Sequence, residues 1–294
     1  MPRLEDTRDE ARDGEAQGQL TLFERAFPEE PELADELEHF AERFYGLSFF
    51  KDAVRHKTET TGRRILIYGD SGLGKTTFAV SAPNPFVFDF SNDLSDLTQE
   101  FQKKRPRTID VFQEALAEKE IGQFGTIVID KLDDLNRMIE SQVARDAGKK
   151  SFGDFSYGKG HDLVLPILLR IRDQLDWVRR TYGCHIILTA DCVINTIPQP
   201  GGDTYMQYGL NLAKKIAPVW TGWCQEVLWA HYESTVEKGQ GFQPGKIRGG
   251  TNRYIATGGI LHAVCKRRIE LPDVMPLSWS AYEKHLPKEK EKVK

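Results

Sequence analysis

Residues 69–77, GDSGLGKTT, have the types and the spacing that suit the binding of nucleotide phosphates. The glycines let consecutive backbone N–H groups converge on an anion, Lys75 can reach the β- and γ-phosphate oxygens, and the Thr76 hydroxyl can hold Mg²⁺. A short apolar strand is predicted before this loop and a helix after it, which is the context that the chemistry requires. We expect ATP to be bound by Gly69, Asp70, Ser71, Gly72, Leu73, Gly74, Lys75, Thr76 and Thr77.

A magnesium site beside such a loop also needs a carboxylate at the end of a neighbouring strand. Asp130 closes the apolar segment TIVID, residues 126–130, and is our candidate for that role together with Thr76. The alternative is that Asp130 caps the helix that follows it.

Hydrolysis requires a further group that orients or deprotonates the attacking water. The residue after Asp130 is Lys131, so an Asp-Glu pair is missing at this point. Asp93 is our candidate base, with Asp89 as the second choice, and the alternative for both is a role in a turn. We therefore expect an ATPase that is slow.

Short apolar strands alternate with helical patterns through the first two thirds of the chain. This alternation predicts an α/β fold with a mostly parallel sheet that helices cover on both faces. Beyond Asp191 we expect a Pro/Gly-rich loop to about residue 202, a helix around 210–220, and three strands of an antiparallel extension. The predicted strands are 64–69, 85–90, 126–130 and 185–191, then EVLWAHYE, RYIAT and ILHAVCKRR, and the predicted helices include 75–82, 110–119 and 132–143.

Composition and charge divide the 294 residues into four predicted parts. Residues 1–40 hold 4 Arg against 13 Asp plus Glu, a balance of −9, whereas the whole chain carries −4, which leaves +5 on the remainder. The absence of a long apolar run and the four scattered cysteines favour a cytoplasmic protein with reduced thiols. We expect a disordered acidic arm at 1–31, a helical segment at 32–62, an ATPase domain at 63–282 and a charged tail at 283–294.

One apolar island, QLTLF, interrupts the acidic arm at residues 19–23. The pentapeptide is similar to the motif with which bacterial proteins bind the sliding clamp, and the residues concerned are Gln19, Leu20, Leu22 and Phe23. The alternatives are docking onto this protein's own body and the start of a short helix.

Several segments together resemble the RecA-like AAA-type ATPases encoded largely by bacteriophages, including phage single-strand annealing and recombination ATPases. The likeness covers roughly residues 63–279 and lies in GDSGLGKTTFAVSAPNPFVFDF, TIVIDKLDDL, SYGKGHDLVLPIL, CHIILTAD and AVCKRRIELPDVMPLSW. It implies a RecA-like P-loop NTPase core that uses ATP and Mg²⁺ and assembles into a homo-oligomeric ring or filament. In related oligomers a late strand carries basic residues to the neighbouring subunit's phosphates, so Lys266 and Arg268 are candidate trans-acting fingers; the alternative is a solvated basic strand end.

One position departs from the family pattern. The fourth strand commonly ends in a His or Gln that senses the γ-phosphate, whereas this chain has Asp191. An ionised carboxylate cannot donate a hydrogen bond to phosphate. Asp191 therefore holds the attacking water, or the sensing function is lost.

RecA-like proteins bind single-stranded DNA through loops near the third and fourth strands. In this chain the first such loop, residues 147–160, interleaves aromatic rings with lysines, as stacking on bases and neutralisation of phosphates require. The second, residues 194–208, brings Tyr205 and Tyr208 with little charge. The alternative is that the rings of the first loop pack beneath it or form a subunit contact; its candidate DNA-binding residues are Lys149, Lys150, Phe152, Phe155, Tyr157 and Lys159.

The leading hypothesis is an ATP-dependent, oligomeric protein that binds single-stranded DNA in phage-type recombination or strand annealing. The alternatives are a replication accessory or helicase-loader ATPase, a nucleotide-gated binding module that hydrolyses little ATP, and a P-loop kinase. The kinase is disfavoured because WVRRTYG, residues 177–183, is a poor candidate for an Arg-rich lid.

Overall fold

A computed structural model of the chain describes residues 62–199, 201–237 and 246–287. The predicted acidic arm, its clamp-like motif, almost all of the segment 32–62 and the last residues of the charged tail lie outside these ranges.

A central mixed sheet organises the described residues. Its strands follow the order β3-β2-β4-β5-β1-β7-β8-β9, and β6 pairs with β5 alone. The six strands β1 to β5 and β7 pair in parallel, while β6, β8 and β9 are antiparallel additions. The strands are β1 Arg64–Gly69, β2 Pro85–Asp89, β3 Gln102–Lys104, β4 Thr126–Asp130, β5 His185–Pro198, β6 Thr204–Leu210, β7 Glu226–Glu237, β8 Lys246–Ala256 and β9 Val274–Pro276.

Helices cover both faces of this sheet. Beneath one face lies α1 (Lys75–Val80), with α6 (Trp279–Tyr282), and their side chains pack on Ile67 and Leu228. The other face carries α2 (Ile109–Ala117), α3 (Leu132–Asp146), α4 (Lys159–Tyr182) and α5 (Ala217–Trp223). The predicted fold class is confirmed as an α/β fold with a mostly parallel sheet, helices on both faces and an antiparallel C-terminal extension.

The connectivity brings the carboxyl ends of β1, β2 and β4 to a single edge of the sheet, level with Asp191 in the middle of β5. Gly69 lies opposite Asp191, and Asp89 lies opposite Asp130, in the parallel registers. Loops at the carboxyl ends of parallel strands are where α/β folds bind ligands. This edge therefore holds the candidate functional site.

The structure contradicts the predicted loop and helix after Asp191. β5 continues to Pro198, and β6 returns alongside it as an antiparallel hairpin, so the helix begins only at Ala217. The β-branched residues at 193, 194, 196 and 197 favour an extended chain, and Gly202 adopts the left-handed φ of 92° at the turn. We name this element, residues 192–210, the β5–β6 hairpin.

The predicted strand at residues 260–268 is also wrong. This segment makes only two isolated bridges, from Ala263 to Tyr208 and from Lys266 to Val227. β8 occupies the edge of β7 up to the Trp229–Ala256 pair, so little of β7 is left for a further ladder. In the described part of the chain, no helix is both long and apolar enough to span a bilayer.

Candidate nucleotide site

The loop between β1 and α1 has the backbone that phosphate binding needs. Gly72 and Gly74 adopt φ values of 77° and 99°, a region that side chains with a Cβ rarely enter. The Lys75 side chain, only 7% exposed, turns back over the loop and donates to the carbonyl oxygens of Gly69 and Asp70, each at 2.8 Å. The Lys75 ammonium group is thus held at the loop, where it can bind the oxygens of a triphosphate.

Asp130 lies beside Thr76, as the sequence predicts. The Thr76 hydroxyl donates to Asp130 Oδ1 at 3.0 Å, and the Thr189 hydroxyl of β5 donates to the same oxygen. Burial raises the pKa of Asp130, and the bonds from Thr189 and Thr76 offset that rise only in part. A hydroxyl and a buried carboxylate form the oxygen donor set that Mg²⁺ prefers, so the residues present fit this ion.

Asp191 lies in the middle of β5, opposite Gly69 at the start of the phosphate loop. Its carboxylate accepts from Lys75 Nζ at 3.2 Å and from Lys131 Nζ through the other oxygen. Burial alone would raise the pKa of Asp191, but the bonds and charges of Lys131 and Lys75 outweigh it and hold that pKa below its ordinary value. Asp191 therefore stays ionised at neutral pH and bridges two lysines.

Asp133, in the first turn of α3, fixes the backbone at this point. It is buried, and its Oδ2 accepts from the backbone N–H of Asp191 at 2.9 Å. Sequence reasoning missed Asp133 and Thr189 as members of the site. The acidic run DKLDD after β4 was the available signal for Asp133, whereas the contact of Thr189 depends on the pairing of β5 with β4.

The two candidate bases differ in their surroundings. Asp89 is buried at the end of β2 opposite Asp130, where it accepts from the backbone N–H of Asn92 at 2.6 Å and from Lys103 Nζ at 3.3 Å. Asp93 is exposed in the turn that follows. Of the two, the structure brings Asp89 next to the magnesium candidates and leaves Asp93 outside them.

Lys266 and Arg268 lie away from this protomer's own phosphate loop. Lys266 Nζ donates to the carbonyl oxygens of Thr221 and Gly222 at 2.9 and 2.8 Å, at the end of α5. Arg268 is exposed. α5 ends just before β7 begins, so both residues belong to the amino end of β7, opposite the phosphate edge.

The aromatic residues of the loop before α4 pack inward. Phe152 and Phe155 are half-buried against the core, 5.6 Å apart between ring centroids, and Phe152 also lies 5.1 Å from the ring of His161. Lys149 Nζ lies 5.0 Å from the centroid of Phe155, while Lys150 and Lys159 are exposed. Tyr157 lies in the short turn Ser156–Gly158. Phe152 and Phe155 therefore pack beneath the loop, which is one of the alternatives to DNA binding that the sequence left open.

The β5–β6 hairpin presents apolar side chains to solvent. Ile194 is 52% exposed and Met206 is 69% exposed. At the base of the hairpin, the ring of Tyr208 stacks on Trp229 at 4.7 Å, and Tyr68 of β1 donates to the carbonyl oxygen of Tyr208 at 3.1 Å. The base is anchored to the strand that leads into the phosphate loop, whereas the outer part is exposed.

The fold and this site together define a P-loop nucleoside triphosphatase. The phosphate loop follows β1, and β5 separates β1 from the strand that ends in Asp130. The chain belongs to the AAA domain family AAA_24, whose model matches residues 61–267.

Two further comparisons complete this description. None of the curated proteins matches the sequence. Among solved structures, the crystal structure of the RadB recombinase is similar, with 14% identity and a TM-score of 0.39 over 67% of this chain and 88% of that chain.

Proposed function

We propose that this protein is an ATP-hydrolysing, homo-oligomeric AAA ATPase that binds single-stranded DNA. It acts in recombination or strand annealing of the bacteriophage type, in the cytoplasm of the host cell. The single observation that carries the proposal is the continuity of β5, which touches the nucleotide site and then forms the exposed hairpin.

The residues that would bind the substrate are those of the phosphate loop. Lys75 supplies a cation for the β- and γ-phosphates, and Thr76 and Asp130 would hold Mg²⁺. When bound, this ion neutralises charge on the phosphoryl group that is transferred. We assign to Asp191 the orientation of a water on the γ-phosphate side. Its partners Lys75 and Lys131 are cations that a bound triphosphate would attract away from it, whereas Asp89 is held by Asn92 and Lys103 outside the phosphate loop and Asp93 is exposed.

In this proposal, strand β5 couples nucleotide binding to DNA binding because its residues contact both sites. Thr189 contacts Asp130, Asp191 contacts Lys75, and the next residue, Cys192, places its Sγ 3.0 Å from Asp70 Oδ1 in the phosphate loop. The strand then continues without interruption to Pro198. A change in the contacts of Asp191 when the γ-phosphate binds or leaves would move the first residues of the hairpin. Nucleotide can change the affinity for DNA only if the hairpin differs between the ATP-bound and the nucleotide-free conformations.

The DNA surface in this proposal combines the hairpin with the lysines before α4. Apolar side chains can bury their surface against the faces of bases whatever the sequence, while lysines neutralise phosphates. Ile194 and Met206 supply the apolar part and Lys150 and Lys159 the charge. In the oligomer, Lys266 and Arg268 would reach the neighbouring subunit's phosphates, and the segment 19–23 would bind a sliding clamp.

The test is the rate of ATP hydrolysis by the purified protein with and without a poly-pyrimidine single strand. The proposal expects clear stimulation by the strand, together with DNA binding that depends on ATP in fluorescence anisotropy. Equal hydrolysis in both arms, with no nucleotide-dependent anisotropy change, would exclude it. A second candidate is a nucleotide-gated binding module: Lys131 follows Asp130, so ATP-dependent DNA binding without turnover would favour that function.

Replacing both Ile194 and Met206 with serine should weaken single-strand binding by about tenfold, because burying one apolar side chain of this size contributes about 1.5–3 kcal/mol when burial is complete. Both side chains point into solvent, so the fold should tolerate the change. Anisotropy with a labelled oligonucleotide measures the effect. Val111→Ser, at an exposed apolar position of α2, is the matched control and should bind like the wild type. Unchanged affinity in the double variant would remove the hairpin from the DNA surface.

A further inference from the structure

Two exposed residues with planar side-chain groups lie next to each other on the side of β1 that faces away from Asp130. Tyr232 of β7 and Arg253 of β8 are direct cross-strand partners. Tyr232 is 42% exposed, and Arg253 is exposed as well. The pairing of the two strands becomes irregular between Tyr232 and Ser234, and such irregularities often re-aim side chains beside functional sites.

Arg253 reaches the phosphate loop. A Cβ built on Gly74 would lie 3.1 Å from Arg253 Nη1, so the guanidinium rests over the open face of that glycine. Gly74 directly precedes Lys75, and its backbone lines the place where phosphates bind. Among the residues that the structure describes, no carboxylate pairs with Arg253. The guanidinium of Arg253 is thus held beside the phosphate loop by strand β8.

Both residues lie on the face of the sheet that carries α1. Ala230 and Ile255 pack in the same core as Phe78 of α1. Tyr232 and Arg253 each lie two residues away from these, and side chains two apart on a strand share a face. β7 also abuts the loop directly, because a Cβ on Gly69 would lie 2.4 Å from the carbonyl oxygen of Ala230.

The order of the strands determines which end of a nucleotide meets this pair. Asp130 and Asp191, which mark the magnesium and γ-phosphate end, lie on β4 and β5, on one side of β1. β7 and β8 lie on the other side. A triphosphate that runs across the loop from Asp191 therefore points its nucleoside toward Tyr232 and Arg253.

We infer that Arg253 and Tyr232 form a wall that binds the nucleoside end of the substrate within the same protomer. This inference rests on the proposed nucleotide binding and deepens it. The ring of Tyr232 and the planar guanidinium of Arg253 stack on the base and ribose, an interaction that a lysine cannot reproduce. The wall makes the site prefer a nucleoside triphosphate to an inorganic polyphosphate.

Calorimetric binding of Mg-ATP and of Mg-tripolyphosphate tests the wall. The wild type should bind ATP about a hundredfold more tightly than tripolyphosphate, because the base and ribose contact two planar groups that tripolyphosphate cannot reach. Arg253→Lys, which keeps the charge, and Tyr232→Ala should each weaken ATP binding by about tenfold while tripolyphosphate affinity stays within about twofold. Tyr232→Phe keeps the ring and should bind ATP like the wild type.

Two controls separate the failure of the wall from the failure of the phosphate site. Arg107→Lys, an exposed arginine before α2, should change neither affinity, and Lys75→Ala should lose both ligands. If Arg253→Lys and Tyr232→Ala weaken ATP and tripolyphosphate equally, or change neither, the wall is wrong and the phosphate site stands. If the wild type binds neither ligand, both the wall and the proposed nucleotide binding are overturned. Circular dichroism confirms that each variant is folded.

Discussion

Lys75→Ala should lower the affinity for Mg-ATP by at least about a hundredfold and reduce hydrolysis to background, because preorganised cations at transferring phosphates are worth several kcal/mol. The Lys75 side chain is almost fully buried, and its three acceptors, the carbonyl oxygens of Gly69 and Asp70 and the carboxylate of Asp191, aim it at the loop. Alanine removes the cation, whereas the loop glycines keep their conformation. The variant also leaves Asp191 paired with Lys131 alone.

Isothermal titration with Mg-ATP and a phosphate-release assay measure this effect. Lys104→Ala, an exposed lysine on the edge strand β3, is the matched control for loss of one positive charge and should keep the wild-type affinity. Residual hydrolysis above about a tenth of the wild-type rate in Lys75→Ala would contradict the assignment of this loop as the phosphate site.

The buried strands were the easiest part of the fold to predict. β1 and β4 have the bounds that the sequence predicts, because both are short apolar runs covered on two faces. The helix expected at 110–119 forms at Ile109–Ala117, where the Thr108 hydroxyl accepts from the backbone N–H of Val111. Local patterns suffice where burial and capping act within a few residues.

Elements that depend on distant partners could not be predicted. β3 and β9 are three residues long and exist because β2 and β8 offer them an edge. The β5–β6 hairpin mixes polar and apolar residues around a Pro/Gly turn, so its pattern also suits a loop. Residues 260–268 show the opposite error, since their apolar pattern predicts a strand although β8 already occupies the neighbouring edge.

The residues of the site also fall into those that local sequence predicts and those that only the fold brings together. The spacing of residues 69–77 and the position of Asp130 were visible in the sequence because each motif is local. Arg253 was not, since only the pairing of β8 with β7 brings it to Gly74. Likewise, the sequence shows that Lys131 and Asp191 both differ from the residues expected of the family at these positions. Only the pairing of β1, β4 and β5 shows that the two side chains contact each other.

The contact between Lys131 and Asp191 indicates how these two residues act together at the site. Lys131 directly follows the strand-terminal Asp130, and Asp191 of the adjacent strand β5 supplies the carboxylate that pairs with it. A bound triphosphate would compete with Asp191 for both lysines, since phosphate oxygens and a carboxylate attract the same cations.

Asp191→Asn should therefore tighten ATP binding and slow its hydrolysis. Removing the competing anion should raise the affinity by about tenfold, the equivalent of about 1.4 kcal/mol. Because we propose that this carboxylate orients the attacking water, its loss should lower kcat by about a hundredfold, the low end of general-base contributions. Because the pKa of Asp191 lies below its ordinary value, the carboxylate is ionised above that pKa, and the difference from the wild type should persist from pH 6 to 8.

Direct binding and single-turnover hydrolysis separate the two effects, because KM alone mixes affinity with turnover. Asp110→Asn, which removes an exposed carboxylate from the first turn of α2, is the matched control and should change neither quantity. Lys131→Met should weaken ATP binding, because it removes a cation and leaves Lys75 as the lysine for which Asp191 and the triphosphate compete. If Asp191→Asn weakens ATP binding, the carboxylate does not compete with the triphosphate. If kcat is unchanged in that variant, Asp191 does not position the water, and Asp89, opposite Asp130, becomes the next residue to replace.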